Sequence, residues 1–385
     1  MRTGNPLSTQ PMPNSSSTIA QVTRNGQFLQ EEKRPICIGD VLGLQPSDRK
    51  IDSPAHPLTP STPNALSRPA FGANSAIPGL YLHVPFCFHK CHYCDFYSIV
   101  DSRDRQETFV NRLIDEMAAA AEYLDGPVQT IFIGGGTPTL LSVDLWQRLI
   151  SAIRRFLPVN DGLEWTVEAN PETVTPELAT VLASGGINRI SLGCQSFNPV
   201  HLKTLERWHD PRNVHRSVEI FRDSGIDNIN LDLIFAIPGQ TLEDWMTDLN
   251  EALSLAPTHI SCYSLMYEPN TPLTQKLKMG HIQRADEAVE AAMFEATMEQ
   301  LGAAGYEHYE ISNWARSSVM DAACDEPQFA TDHVTASIGE EHGGRPSPVS
   351  EIGGCPAFVP DFVRGTWRCR HNMFYWTNAN WWALG

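Results

Sequence analysis

The sequence predicts an α/β fold, with repeated β-α units around a parallel sheet that is open or closed as a barrel. Short apolar runs rich in β-branched residues recur from about residue 79 onward, and each is followed by a helical pattern or a long connection. Such strands are buried on both faces, as parallel sheets are. Glycine and polar residues gather at the ends of these runs, and in a β/α barrel the carboxyl ends of the strands converge on the face where active sites are built.

Taken in order, residues 1–75 hold ten of the chain's 28 prolines, with many Ser, Thr and Asn and little periodicity. That composition cannot bury enough apolar surface to offset its ordering entropy, so it predicts a disordered extension. A core domain over 76–316 opens with "GLYLHV" and a helical pattern over roughly 104–124. Further strands are expected at "VQTIFI", "EWTVEA", "NRISLG", "NINLDLIF", "HISCYSL" and "EHYEIS". The stretch 317–368 carries eight acidic and two basic side chains between Ser317 and Gly365, several Gly and Pro, and no sustained periodicity, which predicts a disordered acidic insertion. Its Cys324 and Cys355 read as isolated thiols. The last segment, 369–385, contains Phe374, Tyr375, Trp376, Trp381 and Trp382, a density that normally packs against a partner surface.

At 385 residues the chain buries a full core without staples. Its 28 basic against 45 acidic residues give a net charge of −17, which disfavours a general binder of nucleic acid or anionic membrane. Nine cysteines, several of them isolated in apolar runs, suit a reducing compartment better than a disulfide framework. The amino terminus lacks the apolar core of a signal peptide, and no stretch has the length of a membrane-spanning helix. A cytoplasmic location is expected.

Cys87, Cys91 and Cys94 lie in "YLHVPFCFHKCHYCDFYS", with three and then two residues between them. Four thiolates at paired spacings would close a structural zinc site. Three on one short loop satisfy three corners of a [4Fe–4S] cubane and leave one iron open. On this stretch alone, a zinc site completed by His89 or His92, or three unrelated thiols, remain alternatives. The glycines of "IFIGGGTPTLL" permit positive φ and close approach, so the loop could present amides and a hydroxyl to a ligand; a bare strand-to-helix turn reads equally well. Asp232 places a carboxylate in an apolar strand, where burial without a partner is costly.

Together with "EANP", "CQSFN", "LDLIFAIPGQT" and "YEISNWA", these motifs resemble the radical S-adenosylmethionine (SAM) superfamily, in its oxygen-independent coproporphyrinogen III oxidase-like branch and especially that branch's heme chaperones. The resemblance covers about residues 79–316 and resumes at 369–385. It implies a partial (β/α)6 TIM-like barrel in which Cys87, Cys91 and Cys94 bind a [4Fe–4S] cluster whose open iron chelates SAM. An electron would split SAM to methionine and a 5′-deoxyadenosyl radical. By motif match, Tyr81 sits beside the cluster, Gly135, Gly136 and Thr137 hold the methionine end, and Glu168, Gln195, Arg207 and Asp232 line the rest. For Arg207, in "LERWHD", a solvated helix face is an equal reading.

The oxidase type has a further cysteine two residues beyond the third; here that position is Phe96, which favours the chaperone reading. "CRHNMFYW" (369–376) resembles a motif linked to heme binding, with His371 as the imidazole able to ligate iron and Phe374, Tyr375 and Trp376 offering flat surface to a porphyrin. From the residues alone His371 reads first as a hydrogen-bonded structural histidine. The implied cofactors are the cluster, SAM and heme. The implied partners are heme-accepting proteins and an electron donor such as a flavodoxin or ferredoxin, with membrane association only through acceptors. The rival readings are an oxidase turning coproporphyrinogen III into protoporphyrinogen IX, and a non-catalytic zinc scaffold. Family members continue into a further carboxyl-terminal region, so the final aromatic segment is expected to be poorly buried here.

Overall fold

A computed structural model describes residues 77–101, 103–124, 126–316, 367–377 and 381–385, all within a unit spanning Ile36–Gly385. The predicted 1–75 extension lies outside the described residues, as does the insertion apart from Trp367 and Arg368, with Cys324 and Cys355.

The elements run β1 (Gly79–Val84), β2 (Phe86–Cys87), β3 (Ile99–Val100), α1 (Gln106–Ala120), β4 (Val128–Gly135), α2 (Val143–Phe156), β5 (Val159–Ala169), α3 (Pro176–Gly185), β6 (Arg189–Gln195), α4 (Pro199–Thr204) and α5 (Arg212–Asp223). They continue with β7 (Asn228–Phe235), α6 (Leu242–Ser254), β8 (His259–Ser264), α7 (Pro272–Lys278), α8 (Glu287–Ala303), β9 (Tyr306–Glu310), β10 (Asn313–Arg316), α9 (Arg370–Trp376) and β11 (Trp381–Leu384). The main sheet has the order β11-β1-β4-β5-β6-β7-β8-β10-β9. From β1 through β8 every pairing in it is parallel, which gives the six β-α units of a partial barrel.

The helices shield the outer face. In α2, Ser142 accepts the Leu145 amide at the amino end, Leu145, Trp146, Leu149, Ile150 and Ile153 form the buried stripe, and Gln147, Ser151 and Arg155 face solvent. In α6, Thr241 and Asp244 exchange the two hydrogen bonds of a capping box.

Two features depart from a simple β-α alternation. The run "EHYEIS" does not begin another parallel unit. Its strand β9 pairs antiparallel with β10, which pairs antiparallel with β8. Only Ile311 and Ser312 separate β9 from β10, far too few residues for a parallel crossover. The final segment also has more cover than expected. Strand β11 adds in parallel to β1, with Trp382 and Leu384 each 1% exposed. Trp382 meets Tyr123 edge-on at 6.1 Å. The expectation of poor burial holds only for Tyr375 and Trp376, which are about half exposed.

One carboxylate ties this segment to the barrel. Glu164 on β5 accepts the Arg370 amide at 3.0 Å on one oxygen and the His371 amide at 3.1 Å on the other. It thereby satisfies amides that open α9 and sets negative charge at that helix start. Arg370 donates to Gly162 O at 2.7 Å, and Arg368 pairs with Glu307. Replacing Glu164→Ala orphans both amides, so it is expected to cost about 1–3 kcal/mol. It should also speed hydrogen exchange in 369–376 more than in β6 or β7; equal exchange throughout would show that the carboxylate does not anchor the segment.

Candidate functional site

The three loop cysteines follow directly from β1. Cys87 ends β2, and the loop beyond it is pinned at several points: the His92 amide donates to Leu205 O at 3.2 Å, the Leu273 amide to His92 O at 2.9 Å, and the Cys94 amide to Cys91 O at 3.2 Å. Two sulfurs face donors, with Thr137 Oγ1 3.8 Å from Cys87 Sγ and Arg207 Nη1 3.7 Å from Cys91 Sγ. Burial pushes the Cys87 thiol up against the lowering effect of Thr137, and pushes Cys94 up to about 11. Bound metal displaces such protons, and donors to sulfur are the outer contacts that stabilise anionic iron–sulfur centres. Among the described residues no three His, Cys, Asp or Glu side chains converge on a single ion. A cubane does not require that convergence, because each thiolate takes a separate iron. His89, a candidate zinc partner in the sequence, instead stacks on Trp208 with ring centroids 4.2 Å apart.

The glycine turn is stitched to the cysteine strand. The Gly136 amide donates to Val84 O at 2.8 Å and the Thr137 amide to Phe86 O at 2.7 Å. A Cβ at Gly136 would sit 2.6 Å from Phe86 O, so only glycine permits this approach. The Gly135 amide is spent on Glu168 at 2.9 Å. All three amides expected to face a ligand are therefore engaged within the protein, and what this turn can offer is carbonyl oxygen and the Thr137 hydroxyl beside Cys87.

Glu168 stands at the centre of the cluster of candidate residues. Burial, reinforced by Asp232, raises its carboxyl to about 7. Asp232 is itself pushed up by burial while accepting hydrogen bonds from Ser191 and Asn230, both at 2.9 Å. Tyr81 stacks on Phe132 and donates or accepts with His83 Nδ1 at 3.1 Å. Arg207 does not lie on a solvated helix face: its guanidinium donates to Gly193 O at 2.9 Å and reaches Cys91. Gln195 ends β6 with φ +68°, beside a register shift between Gly193 and Gln195, a strained non-glycine position of the kind that clusters at functional sites.

Tyr81, Glu168 and Asp232 line a cavity of about 380 Å³ that continues down the barrel to Arg189, Asn230, His259 and His371. His371 is 2% exposed, with Nδ1 2.7 Å from Thr130 Oγ1 and Nε2 3.4 Å from the Tyr375 hydroxyl. Burial, with Arg189 nearby, lowers its pKa to about 3. Both ring nitrogens thus have a hydrogen-bonding neighbour in this closed arrangement. Sequence reasoning missed the polar inward face. Its signal is the period of two in "RISLG", "NINLD" and "HISCY", where Arg189 and Ser191, Asn230 and Asp232, and His259 and Ser261 alternate with apolar residues.

Comparison with known proteins agrees with this fold. The model of the radical SAM superfamily matches residues 81–252. The chain is 40% identical over 241 residues to the heme chaperone HemW of Bacillus subtilis (strain 168), an alignment covering 62% of this chain and 64% of that protein. With HemW of Mycobacterium tuberculosis (strain H37Rv) it shares 31% identity over 311 residues, covering 80% and 67%. Among solved structures, the radical SAM enzyme coproporphyrinogen III oxidase (HemN) from Escherichia coli superposes with a TM-score of 0.59 at 25% identity, over 63% of this chain and 56% of that one. The chain belongs to the radical SAM superfamily and, within it, to the HemN-like family that includes the HemW heme chaperones. It spans slightly less than two thirds of the length of the Bacillus relative.

The raised carboxyl of Glu168 has a stability consequence with a definite sign. Folding holds its proton up to about pH 7, against an ordinary value of 4.5. The stability this proton confers is therefore complete below about pH 4.5 and is lost as pH rises to about 7. Glu168→Gln should flatten that part of the pH profile in urea unfolding, so that the variant gains on the wild type between those limits; parallel profiles would show that Glu168 keeps its ordinary carboxyl.

Proposed function

We propose that the chain binds a [4Fe–4S] cluster through Cys87, Cys91 and Cys94, holds SAM against the adjacent site, and serves as a cytoplasmic heme chaperone that passes heme to acceptor proteins. The observation that carries this reading is the placement of a C-x3-C-x2-C loop, sulfurs facing Thr137 and Arg207, at the mouth of a barrel whose next groups are the half-buried carboxyls Glu168 and Asp232. The relatives named heme chaperones supply the second half of the proposal.

When bound, the cluster and SAM would supply the redox and radical chemistry of the superfamily. The protein's part is binding and orientation. The Gly135–Thr137 turn sets carbonyl acceptors beside the cysteine loop, a match for an ammonium group. Glu168 and Asp232 offer carboxylates that a cationic ligand would draw into their charged form. Tyr81 and Gln195 flank the mouth, and Arg207 holds Cys91 while bracing the β6 end through Gly193. An electron donor such as a flavodoxin or ferredoxin would reduce the centre. Phe96, at the position where the oxidase type has a further cysteine, is 67% exposed and lines the cavity mouth.

Anaerobic reconstitution tests the reading. Each of Cys87→Ala, Cys91→Ala and Cys94→Ala should abolish the iron–sulfur absorbance, while Cys262→Ala, a buried thiol on β8 and not in the loop, keeps it. The reconstituted wild type should bind heme and release no protoporphyrinogen from coproporphyrinogen III. His371→Ala should weaken heme binding at unchanged iron–sulfur content. A full four-iron cluster in the Cys91 variant removes the cluster assignment, unchanged heme spectra in the His371 variant remove that ligand, and porphyrin product replaces the chaperone with an oxidase.

A further inference from the structure

The floor of the barrel cavity is set by a residue that none of the chemistry above uses. Arg189, the first residue of β6, is 2% exposed, lines the cavity, and makes no side-chain hydrogen bond among the described residues; its Nε is also sealed from solvent. A guanidinium carries five N–H donors, and burying them unpaired is costly. The carboxylates near enough to act on its charge are Glu164 and Asp232. Their oxygens hydrogen-bond to other donors and not to Arg189: Glu164 takes the amides of Arg370 and His371, and Asp232 takes Ser191 and Asn230. The neighbouring His259 is spent as well, with one ring nitrogen on Asn230 at 2.7 Å and the other on Tyr309 at 2.8 Å. Among the described residues the charge of Arg189 is compensated at a distance and its donors have no acceptor.

We propose that the barrel cavity contains a carboxylate-binding subsite centred on Arg189, which takes a small carboxylate-bearing molecule. The guanidinium fork matches a carboxylate in two parallel hydrogen bonds, the arrangement for which arginine is best suited. A volume of about 380 Å³ is at the small-molecule end of ligand sites, and Phe132 and Trp381 supply apolar wall for the remainder of such a ligand. The subsite requires neither cluster nor heme, so its success or failure is separate from that of the function proposed above.

The test uses the full chain without added cofactor and follows its Tm at constant ionic strength in the presence of propionate, of propionamide, or of chloride alone. Propionate should raise Tm saturably by about 2–4 °C, and propionamide and chloride should not. Arg189→Lys, which keeps the charge but loses the fork, should retain a weaker response, and Arg189→Met should lose it. An equal response to the amide, an unchanged response in Arg189→Met, or no saturable shift at about 100 times a 1 mM Kd overturns the proposal. If Arg189→Met does not fold, the carboxylate-to-amide comparison in the wild type still decides. A destabilised Arg189→Met variant, with no carboxylate preference in the wild type, identifies Arg189 as a counter-ion of Glu164 and Asp232 and nothing more.

Discussion

A strand in a parallel barrel sends alternate side chains inward, and in this protein three neighbouring strands send polar ones. Each of those groups must then find its partner inside the wall, because water reaches little of it. The register supplies the partners. Ser191 lies opposite Asn230, and Asp232 opposite Ser261. Asn230 sits at the hub, donating to Ser191 at 2.7 Å and to Asp232, and accepting from Ser261 at 3.1 Å and from His259. Such a network fixes Asp232 in one orientation, and through Asp232 it sets the charge felt by Glu168. The acidity at the mouth is therefore a property of the wall below it.

The mouth itself depends on backbone that departs from regular strand. Besides Gln195, Ala236 just beyond β7 also has positive φ, at +58°. Gln195 is the last residue of β6 and Ala236 the first beyond β7, both at the end where the cysteine loop arrives. Gly193 lies where a Cβ would come within 2.7 Å of Arg207 Nη2, so its lack of a side chain lets the guanidinium pass toward Cys91. Strain and glycine together bring a residue from beyond α4, Arg207, and a thiol from the loop after β2 into contact across 116 positions of sequence.

Much of this was legible in the sequence because it follows from short-range rules. The β-branched runs gave the parallel strands from β1 to β8, and the three cysteines and the glycine run stand out by spacing alone. What could not be read depends on which neighbours a segment meets. The antiparallel β9 and β10 look like one more strand until the two-residue connection is seen. Arg207 sits in a polar, helix-like stretch, and nothing local reveals that it turns inward. The amides of Gly135, Gly136 and Thr137 seemed free for a ligand because their acceptors, Glu168, Val84 and Phe86, lie in other parts of the chain. The inward polar alternation was visible in the letters, but the apolar residues between masked it, since both faces of a parallel strand are covered.

His371 shows how one side chain can be claimed by two tasks. Its imidazole is neutral well below physiological pH because burial comes first and Arg189 adds to it, and neutral imidazole is the form that ligates iron. Yet Thr130 occupies one ring nitrogen, and the other faces the Tyr375 hydroxyl at the cavity wall. One carboxylate, Glu164, therefore both fixes the start of the helix that carries His371 and contributes to the charge around Arg189.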